Sequence, residues 1–380
     1  MNKKRYFVYL ANLFLGFHYY LIIYINSNFL SKYLSDGKLN LLYTIGAVLS
    51  VVFLFLIPRV LNVLNAKFVL LFIIFVEFLS VLGLYLFGST TPVVIFFITY
   101  QAIGILLLYC LDLFLESQIR DEENTGSARA LFLTALNVTI LLSLLIVSKL
   151  ASGSLSTMYL LSALSLIPMT IIVIYKFDKH IHKNKIFKLR DIIDFLKEDN
   201  DTFRILTTNF LLHLFYAIMV IYLPLLLIKT AGFDWGDVGK ILAIMILPFL
   251  IFEIPLGKIY DKRTGEKEGI IFGIVFMSIS TLVLSLLGTK TFLVWAIILF
   301  CTRVGASFVE MGAESYFFKK VSDRHSGVIS LFRATQPLAF VISPIIAIPT
   351  LYFTDYSGLF TVLSFITFSG LLFIPKKDTK

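Results

Sequence analysis

The chain has 380 residues, of which 58% are hydrophobic and only 15% are charged. Its mean hydropathy is +0.90. A soluble protein of this length could not bury so much apolar surface, so lipid must solvate most of it. The net charge of +9 would indicate a nucleic-acid partner only on a soluble fold with a basic face. Here the basic residues fall between apolar runs. The cysteines, Cys110 and Cys301, lie inside such runs and fit neither a disulfide framework nor a metal site.

Twelve apolar runs approach or exceed the roughly 20 residues that a helix needs to cross the hydrocarbon core. In chain order, as spans one to twelve, they are residues 6–29, 39–57, 68–87, 92–115, 130–150, 155–175, 203–228, 238–256, 269–287, 292–311, 328–351 and 359–374. The first run is not a cleaved signal peptide, because its apolar stretch is too long and no small-x-small site ends it. The sequence therefore predicts an all-α integral membrane protein with twelve transmembrane helices.

Lysine and arginine are distributed very unevenly between the two sets of loops. The side that holds the N-terminus carries 25 basic residues, and the opposite side carries six. Because basic residues concentrate in cytoplasmic loops, we expect both termini to be cytoplasmic. The long connection at residues 177–202 lies on the same side. Within it Ile186, Leu189, Ile193 and Leu196 repeat at helical spacing, which predicts a short amphipathic helix on the membrane surface.

The second half of the sequence repeats features of the first half. Shifts of 197 and 198 residues place Asn12 on Asn209, Tyr19 on Tyr216, Asp112 on Glu310 and Glu116 on Glu314. Six spans separate equivalent points, so both copies have the same orientation in the membrane. We therefore predict two parallel six-helix bundles, residues 1–176 and 203–380, joined by the cytoplasmic linker 177–202.

The loop between spans eight and nine carries a distinctive pattern. It reads Gly257, three residues, Asp261, the basic residues Lys262 and Arg263, and then Gly265. This pattern resembles the loop signature of the major facilitator superfamily, with one extra residue between the Asp and the following Gly. The equivalent first-half loop, which begins at Pro58, lacks the Asp and both glycines. Span count, duplication and linker also agree with that family.

The resemblance implies that this loop forms a gate. Glycine permits a tight turn, and an aspartate can meet the positive N-terminal end of a helix in the other bundle. Asp261 would then contact the start of span five, near residues 126–129, when the cytoplasmic side is closed. A plain positively charged loop without a gating role is the alternative.

Two membrane helices carry acidic pairs at a spacing of four residues, which places each pair on one helix face. Such polar stripes must face protein or water rather than lipid. The stripes are Tyr109, Asp112 and Glu116 on span four, and Arg303, Ser307, Glu310 and Glu314 on span ten. For Glu116 and Glu314, a solvated helix end is an equal alternative.

The resemblance also implies that spans one, four, seven and ten line a central cavity. Asn12 and His18 on span one, and Asn209 and His213 on span seven, are then further candidates for binding substrate or a coupling ion. Each histidine is either a neutral hydrogen-bonded side chain or a proton carrier.

Polar residues also occur in the membrane outside these stripes. Glu77 on span three is expected to form an interhelical hydrogen bond. Arg333, at the start of span eleven, is expected to pair with Glu310 or Glu314.

Arg303 lies about halfway along span ten. Placing an arginine at the centre of a membrane helix costs about 2.5–3.5 kcal/mol on insertion scales. Such a residue either binds an anionic or strongly polar substrate through its fixed planar charge, or it forms a static ion pair with Glu77 or Glu310. The sequence leaves both interpretations open.

Several catalytic motifs are absent from the sequence. It contains no nucleotide-binding Gly-x4-Gly-Lys-Ser/Thr loop, no His-Glu-x-x-His and no Gly-x-Ser-x-Gly. We therefore predict a non-enzymatic secondary transporter that moves a small solute across the cytoplasmic membrane by alternating access. We expect it to work as a monomer in the lipid bilayer, without a cofactor, metal or nucleic acid, and proton coupling is an option. A lipid flippase or a non-transporting sensor of the same fold is the alternative.

Overall fold

A computed structural model describes residues 3–118, 125–150, 154–178, 199–262, 265–288, 290–320 and 326–376. Within these residues the chain forms thirteen α-helices. They are α1 (Lys3–Tyr20), α2 (Asn26–Leu30), α3 (Asp36–Val63), α4 (Ala66–Leu86), α5 (Thr90–Glu116), α6 (Thr125–Leu150), α7 (Leu155–Lys176), α8 (Asn200–Leu225), α9 (Trp235–Lys262), α10 (Glu266–Ser285), α11 (Phe292–Lys320), α12 (Ser326–Phe353) and α13 (Tyr356–Phe368). Short π-helical and 3₁₀ turns, Leu226–Thr230 and Ser369–Phe373, extend α8 and α13.

Eleven helices in the described residues are long and apolar enough to cross a membrane. They coincide with predicted spans two to twelve, which are α3 to α13 in order. The first predicted span forms α1 and α2, with a buried turn at residues 21–25 between them. Because α1 begins with basic residues and ends at Tyr20, its own apolar length is short, and a twelfth span stays a prediction. The amphipathic linker helix falls outside the described residues.

Helix α4 illustrates how a membrane helix divides its two faces. The side chains of Phe68, Phe72, Phe75 and Leu79 are 43–60% exposed, and they recur at helical spacing along one side. Glu77 is fully buried on the other side. Since the exposed side is apolar, it is suited to lipid contact, and the charged residue faces protein.

The helices pack into two compact units. The first comprises the described residues within 1–120, 153–192 and 321–341. In it α4 packs on α5 and α7, α1 packs on α7 and α5, and α3 packs on α5. This unit therefore contains the first part of span eleven together with helices from the first half of the sequence. The predicted bundles 1–176 and 203–380 follow the sequence repeat and stay a prediction.

The second unit comprises the described residues within 121–152, 193–320 and 342–380. In it α6 packs along α9, α9 packs on α11, α10 packs on α11 and α13, and α8 packs on α11. Helix α6, which is span five of the first half, is thus packed among helices of the second half.

Asp199 caps the N-terminus of α8 and connects it to the end of α11 through a contact with Lys320. Its carboxylate accepts hydrogen bonds from the backbone N–H groups of Asp201 and Thr202, and from the Lys320 ammonium at 3.1 Å. Burial alone would raise the pKa of Asp199, but the hydrogen bonds from Thr202 and Lys320 and the Lys320 charge lower it. The polar segment just before span seven therefore provides a defined helix start.

Helices α10 and α11 approach each other at two glycines. A Cβ atom added to Gly305 would lie 2.5 Å from the backbone nitrogen of Met277 and 2.6 Å from the carbonyl oxygen of Gly273. One added to Gly273 would lie 2.6 Å from the Gly305 carbonyl oxygen. Small residues permit such close helix contact in membranes, and here the nearest atoms are backbone atoms that cannot rotate away.

We expect Gly305→Ala to lower the free energy of unfolding by roughly 1–3 kcal/mol, as other overpacked interiors do. Thermal unfolding of the purified protein in detergent measures the change. Gly88→Ala is the matched control, because a Cβ at Gly88 meets no atom within 4 Å. Equal melting temperatures for the two variants would contradict the close contact.

Candidate functional site

A buried ion pair joins α5 and α12 within the first unit. Arg333 Nε lies 2.5 Å from Asp112 Oδ2, and Arg333 Nη2 lies 3.1 Å from Asp112 Oδ1. Both side chains are buried, and the two parallel contacts form the bidentate geometry that guanidinium and carboxylate prefer. Arg333 thus pairs with Asp112, and the pairing with Glu310 or Glu314 that the sequence suggests stays a prediction. The pair connects span four of the first half to span eleven of the second.

Helix α12 makes a second polar contact about one turn further along. Gln336 Nε2 donates to the hydroxyl oxygen of Tyr19 on α1 at 3.4 Å. Because residues three apart lie on neighbouring positions of one helix face, Arg333 and Gln336 mark a single polar side of α12. That side contacts two first-half helices.

A hydrogen-bonded chain of side chains is buried within the first unit. His18 Nε2 lies 3.0 Å from Glu77 Oε1, and Ser162 Oγ lies 3.0 Å from His18 Nδ1. Tyr100 packs edge-on against the imidazole at 6.0 Å. The interhelical hydrogen bond predicted for Glu77 is confirmed. Both ring nitrogens of His18 have partners, which is the hydrogen-bonded arrangement considered for this residue.

In the second unit, Glu253 on α9 receives two donors from α6. Asn137 Nδ2 donates to Oε1 at 2.6 Å, and Thr134 Oγ1 donates to Oε2 at 3.1 Å. Glu253 is fully buried, so these hydrogen bonds replace the hydration that the carboxyl group would have in water. This contact also connects the two sequence halves, since α6 is span five and α9 is span eight.

The end of α9 packs against the start of α6. Ala130 and Leu133 of α6 form an apolar cluster with Leu256 and Tyr260 of α9 and with Met311. Tyr260 directly precedes Asp261, so the helix that carries the gate motif runs beside the start of span five. Nearby, the Arg129 guanidinium lies 3.4 Å from the centroid of the Phe318 ring.

The gate motif spans the end of α9 and the start of α10. Gly257 lies inside α9, and Gly265 takes a backbone φ of +146° directly before α10, a conformation that glycine adopts readily. The backbone of Asp261 and Lys262 belongs to the last turn of α9. Their side chains and all of Arg263 lie outside what the structure describes, so the predicted contact of Asp261 with span five stays a prediction.

Arg303 on α11 is buried against two aromatic rings. Its guanidinium carbon lies 5.0 Å from the ring centroids of both Phe215 and Tyr216 on α8. Tyr216 donates a hydrogen bond of 2.6 Å to Glu310 Oε2. Glu310 thus binds the tyrosine hydroxyl instead of pairing with Arg303, and the static pair with Glu310 is not formed.

The Arg303 side chain is 2% exposed, and its Nε–H finds no hydrogen-bond acceptor. Throughout the part of its unit that the structure describes, no carboxylate forms an ion pair with it. A buried donor without a partner costs about 1–3 kcal/mol and more when it is charged. Cation–π contacts offset about 0.5–2 kcal/mol of such a cost. The described residues of this unit therefore stabilise the positive charge of Arg303 only in part.

The remaining predicted candidates also lie in the described helices. Those that are buried are Asn12, Tyr109, Glu116, Asn209, Ser307 and Glu314. Ser307 donates to the Val304 carbonyl oxygen of its own helix, at 2.8 Å. The half-buried His213 packs edge-on against Tyr216.

Sequence reasoning missed Phe215, Tyr216, Thr134 and Ser162. With 38 Phe and 18 Tyr in the chain, an aromatic residue is no signal of a site by itself. The repeat held a better signal for Tyr216, because it aligns with Tyr19, and each of these tyrosines makes a polar contact with a second-half side chain.

The comparisons with known proteins agree on the fold. The family model described as Major Facilitator Superfamily matches residues 8–344 and, in a second match, residues 206–380. Among solved structures, the chain is similar to the human organic anion transporter MFSD10 (TETRAN), with a TM-score of 0.76 and 13% sequence identity. That match covers 98% of this chain and 100% of the other. No curated protein matches the chain. Because the family model covers most of its length, the chain belongs to the Major Facilitator Superfamily and is a multi-pass membrane transporter.

Proposed function

We propose that the protein is a secondary active transporter that moves a small solute across the cytoplasmic membrane by alternating access. The observation that carries this proposal is the buried Asp112–Arg333 pair, which joins the two halves of the sequence repeat. Alternating access requires contacts between halves that close one side of the membrane and can open again. We take the monomer as the working unit and the proton as the candidate coupling ion.

The proposed topology has twelve spans, with both termini and the linker 177–202 in the cytoplasm. In that orientation α5 ends and α12 begins on the cytoplasmic side. Asp112 lies in the last turns of α5, and Arg333 lies in the second turn of α12. By the same reasoning, Glu253 and Asn137 lie in the cytoplasmic halves of their helices. The inter-half contacts would therefore close the cytoplasmic side.

Opening toward the cytoplasm would break these contacts in the presence of water. A buried ion pair that loses one partner inside protein is strongly destabilised, because the other charge is left unpaired. A pair that separates into an opening aqueous cavity regains hydration for both charges. The Asp112–Arg333 pair is thus suited to reversible closure.

The gate motif fits the same scheme. Tyr260 packs beside Ala130 at the start of span five, and we propose that the adjacent Asp261 caps the N-terminus of that span in the cytoplasm-closed state. Lys262, Arg263 and the glycines Gly257 and Gly265 would shape the loop.

Transport is tested with the purified protein in liposomes. We expect at least one member of a panel of amino acids, sugars, organic acids and organic cations to be taken up, with a response to an imposed pH gradient if protons are coupled. The same liposomes carry NBD-labelled phosphatidylethanolamine, whose inward movement dithionite quenching reports. Lipid movement without solute uptake would identify a flippase. The absence of both lipid movement and solute uptake would contradict the proposal.

Topology is tested by single-cysteine labelling in a background with Cys110 and Cys301 replaced by serine. Ser35→Cys and Thr90→Cys, at exposed positions, should react with an impermeant maleimide in intact cells. Asn184→Cys, in the linker, should react only after permeabilisation. The reverse pattern would refute the orientation.

The ion pair is tested by a double-mutant cycle. We expect Arg333→Gln to destabilise the protein by about 3–5 kcal/mol, because it leaves the buried Asp112 carboxylate without its counter-ion. Adding Asp112→Asn should recover part of this loss. Lys240→Gln is the control, since its pair with Asp237 is exposed and worth at most about 1 kcal/mol.

Thermal unfolding in detergent gives these differences. The Asp112→Asn single variant completes the cycle. If the loss of stability in the double variant equals the sum of the losses in the two single variants, the pair carries no coupling energy, and a closing role for it is excluded.

A further inference from the structure

We infer that Arg303 binds the carboxylate of an organic acid, which the protein transports as its substrate. This inference rests on the proposed transport function and names the substrate class. The Cα atom of Arg303 lies about 16 Å from the start of α11 and about 25 Å from its end at the rise of an α-helix. At this depth in the helix, we expect the side chain to reach water at neither membrane interface.

Two carboxylates of the same unit, Glu310 and Glu253, already have other partners. Glu310 accepts the Tyr216 hydroxyl at 2.6 Å, and Glu253 accepts from Asn137 and Thr134. Arg303 Nε–H, in contrast, has no acceptor in the described residues of its unit. Within the described residues of this unit, the guanidinium therefore pairs with no carboxylate, and a bound anion would complete the site.

The surroundings of the guanidinium indicate the kind of anion. A guanidinium presents parallel N–H groups that match the two oxygens of a carboxylate. The Phe215 and Tyr216 rings, both 5.0 Å from its carbon atom, hold it in place and add apolar surface beside it. An inorganic ion would gain nothing from that surface. A carboxylate on an apolar body would use both features.

Thermal unfolding of the purified protein with benzoate, benzamide or inorganic phosphate tests the inference. We expect benzoate to raise the melting temperature of the wild type and benzamide, its neutral isostere, to leave it unchanged. Arg303→Gln should weaken benzoate binding by about tenfold or more, as expected for a lost charge-assisted hydrogen bond. The affinity of Arg303→Lys for benzoate should lie between those of the wild type and Arg303→Gln, because lysine keeps the charge but lacks the parallel N–H groups of the guanidinium.

Stability without ligand separates binding from a structural role. Because Arg303 has no ion-pair partner in the described residues of its unit, Arg303→Gln should leave the melting temperature of the ligand-free protein unchanged or raise it. Arg204→Gln is the control: Arg204 Nη1 donates to the carbonyl oxygens of Leu372 and Ile374. That variant should melt earlier yet retain the response to benzoate.

Four results would overturn the inference. They are equal effects of benzoate and benzamide, an unchanged response in Arg303→Gln, a response to inorganic phosphate alone, and no response to either anion. If one of them occurs while the liposomes still take up another solute, only the substrate class is wrong. If the liposomes take up no solute at all, the transport function fails as well.

Discussion

Hydrocarbon offers no partner to a charged or hydrogen-bonding side chain, so a polar group inside a span must find one in the protein or face water. This constraint explains the interior of both packed units. Glu77 is hydrogen-bonded to His18, and Asp112 forms an ion pair with Arg333. Glu253 accepts hydrogen bonds from Asn137 and Thr134. Each partner comes from a different helix. Contacts between polar residues thereby help to determine which helices pack together. In a membrane, apolar contacts between helices are little better than apolar contacts with lipid.

Two of these contacts also cross the sequence repeat. Asp112–Arg333 connects span four to span eleven, and Glu253–Asn137 connects span eight to span five, so each half supplies a helix to a polar contact with the other. Apolar and small residues accompany them, as in the cluster around Tyr260. A contact made of hydrogen bonds and one ion pair can dissociate into water without exposing a large apolar surface. The same contacts can therefore stabilise one state and permit another.

Hydropathy and length were sufficient to predict eleven of the spans, because each needs only an apolar run of the right extent. The polar residues that matter were also visible, since a charge in an apolar run is conspicuous. Their partners were not. Arg333 was expected to pair with Glu310 or Glu314, and the sequence did not predict its bidentate contact with Asp112. Tyr216 was hidden among many aromatic residues, and only its contacts with Arg303 and Glu310 distinguish it.

Arg303 and Arg333 differ in a way that burial does not explain. Both guanidiniums are almost fully buried, both lie in membrane helices, and both have carboxylates in their own unit. Arg333 forms a bidentate ion pair with Asp112. Glu310 is the carboxylate closest in sequence to Arg303, and it accepts a hydrogen bond from Tyr216. A protein selected for stability alone would have an apolar residue at such a position, since burying a charge without an ion-pair partner is costly. An unmatched charge is instead what a binding site needs before its ligand arrives, because a pre-existing internal partner would compete with that ligand.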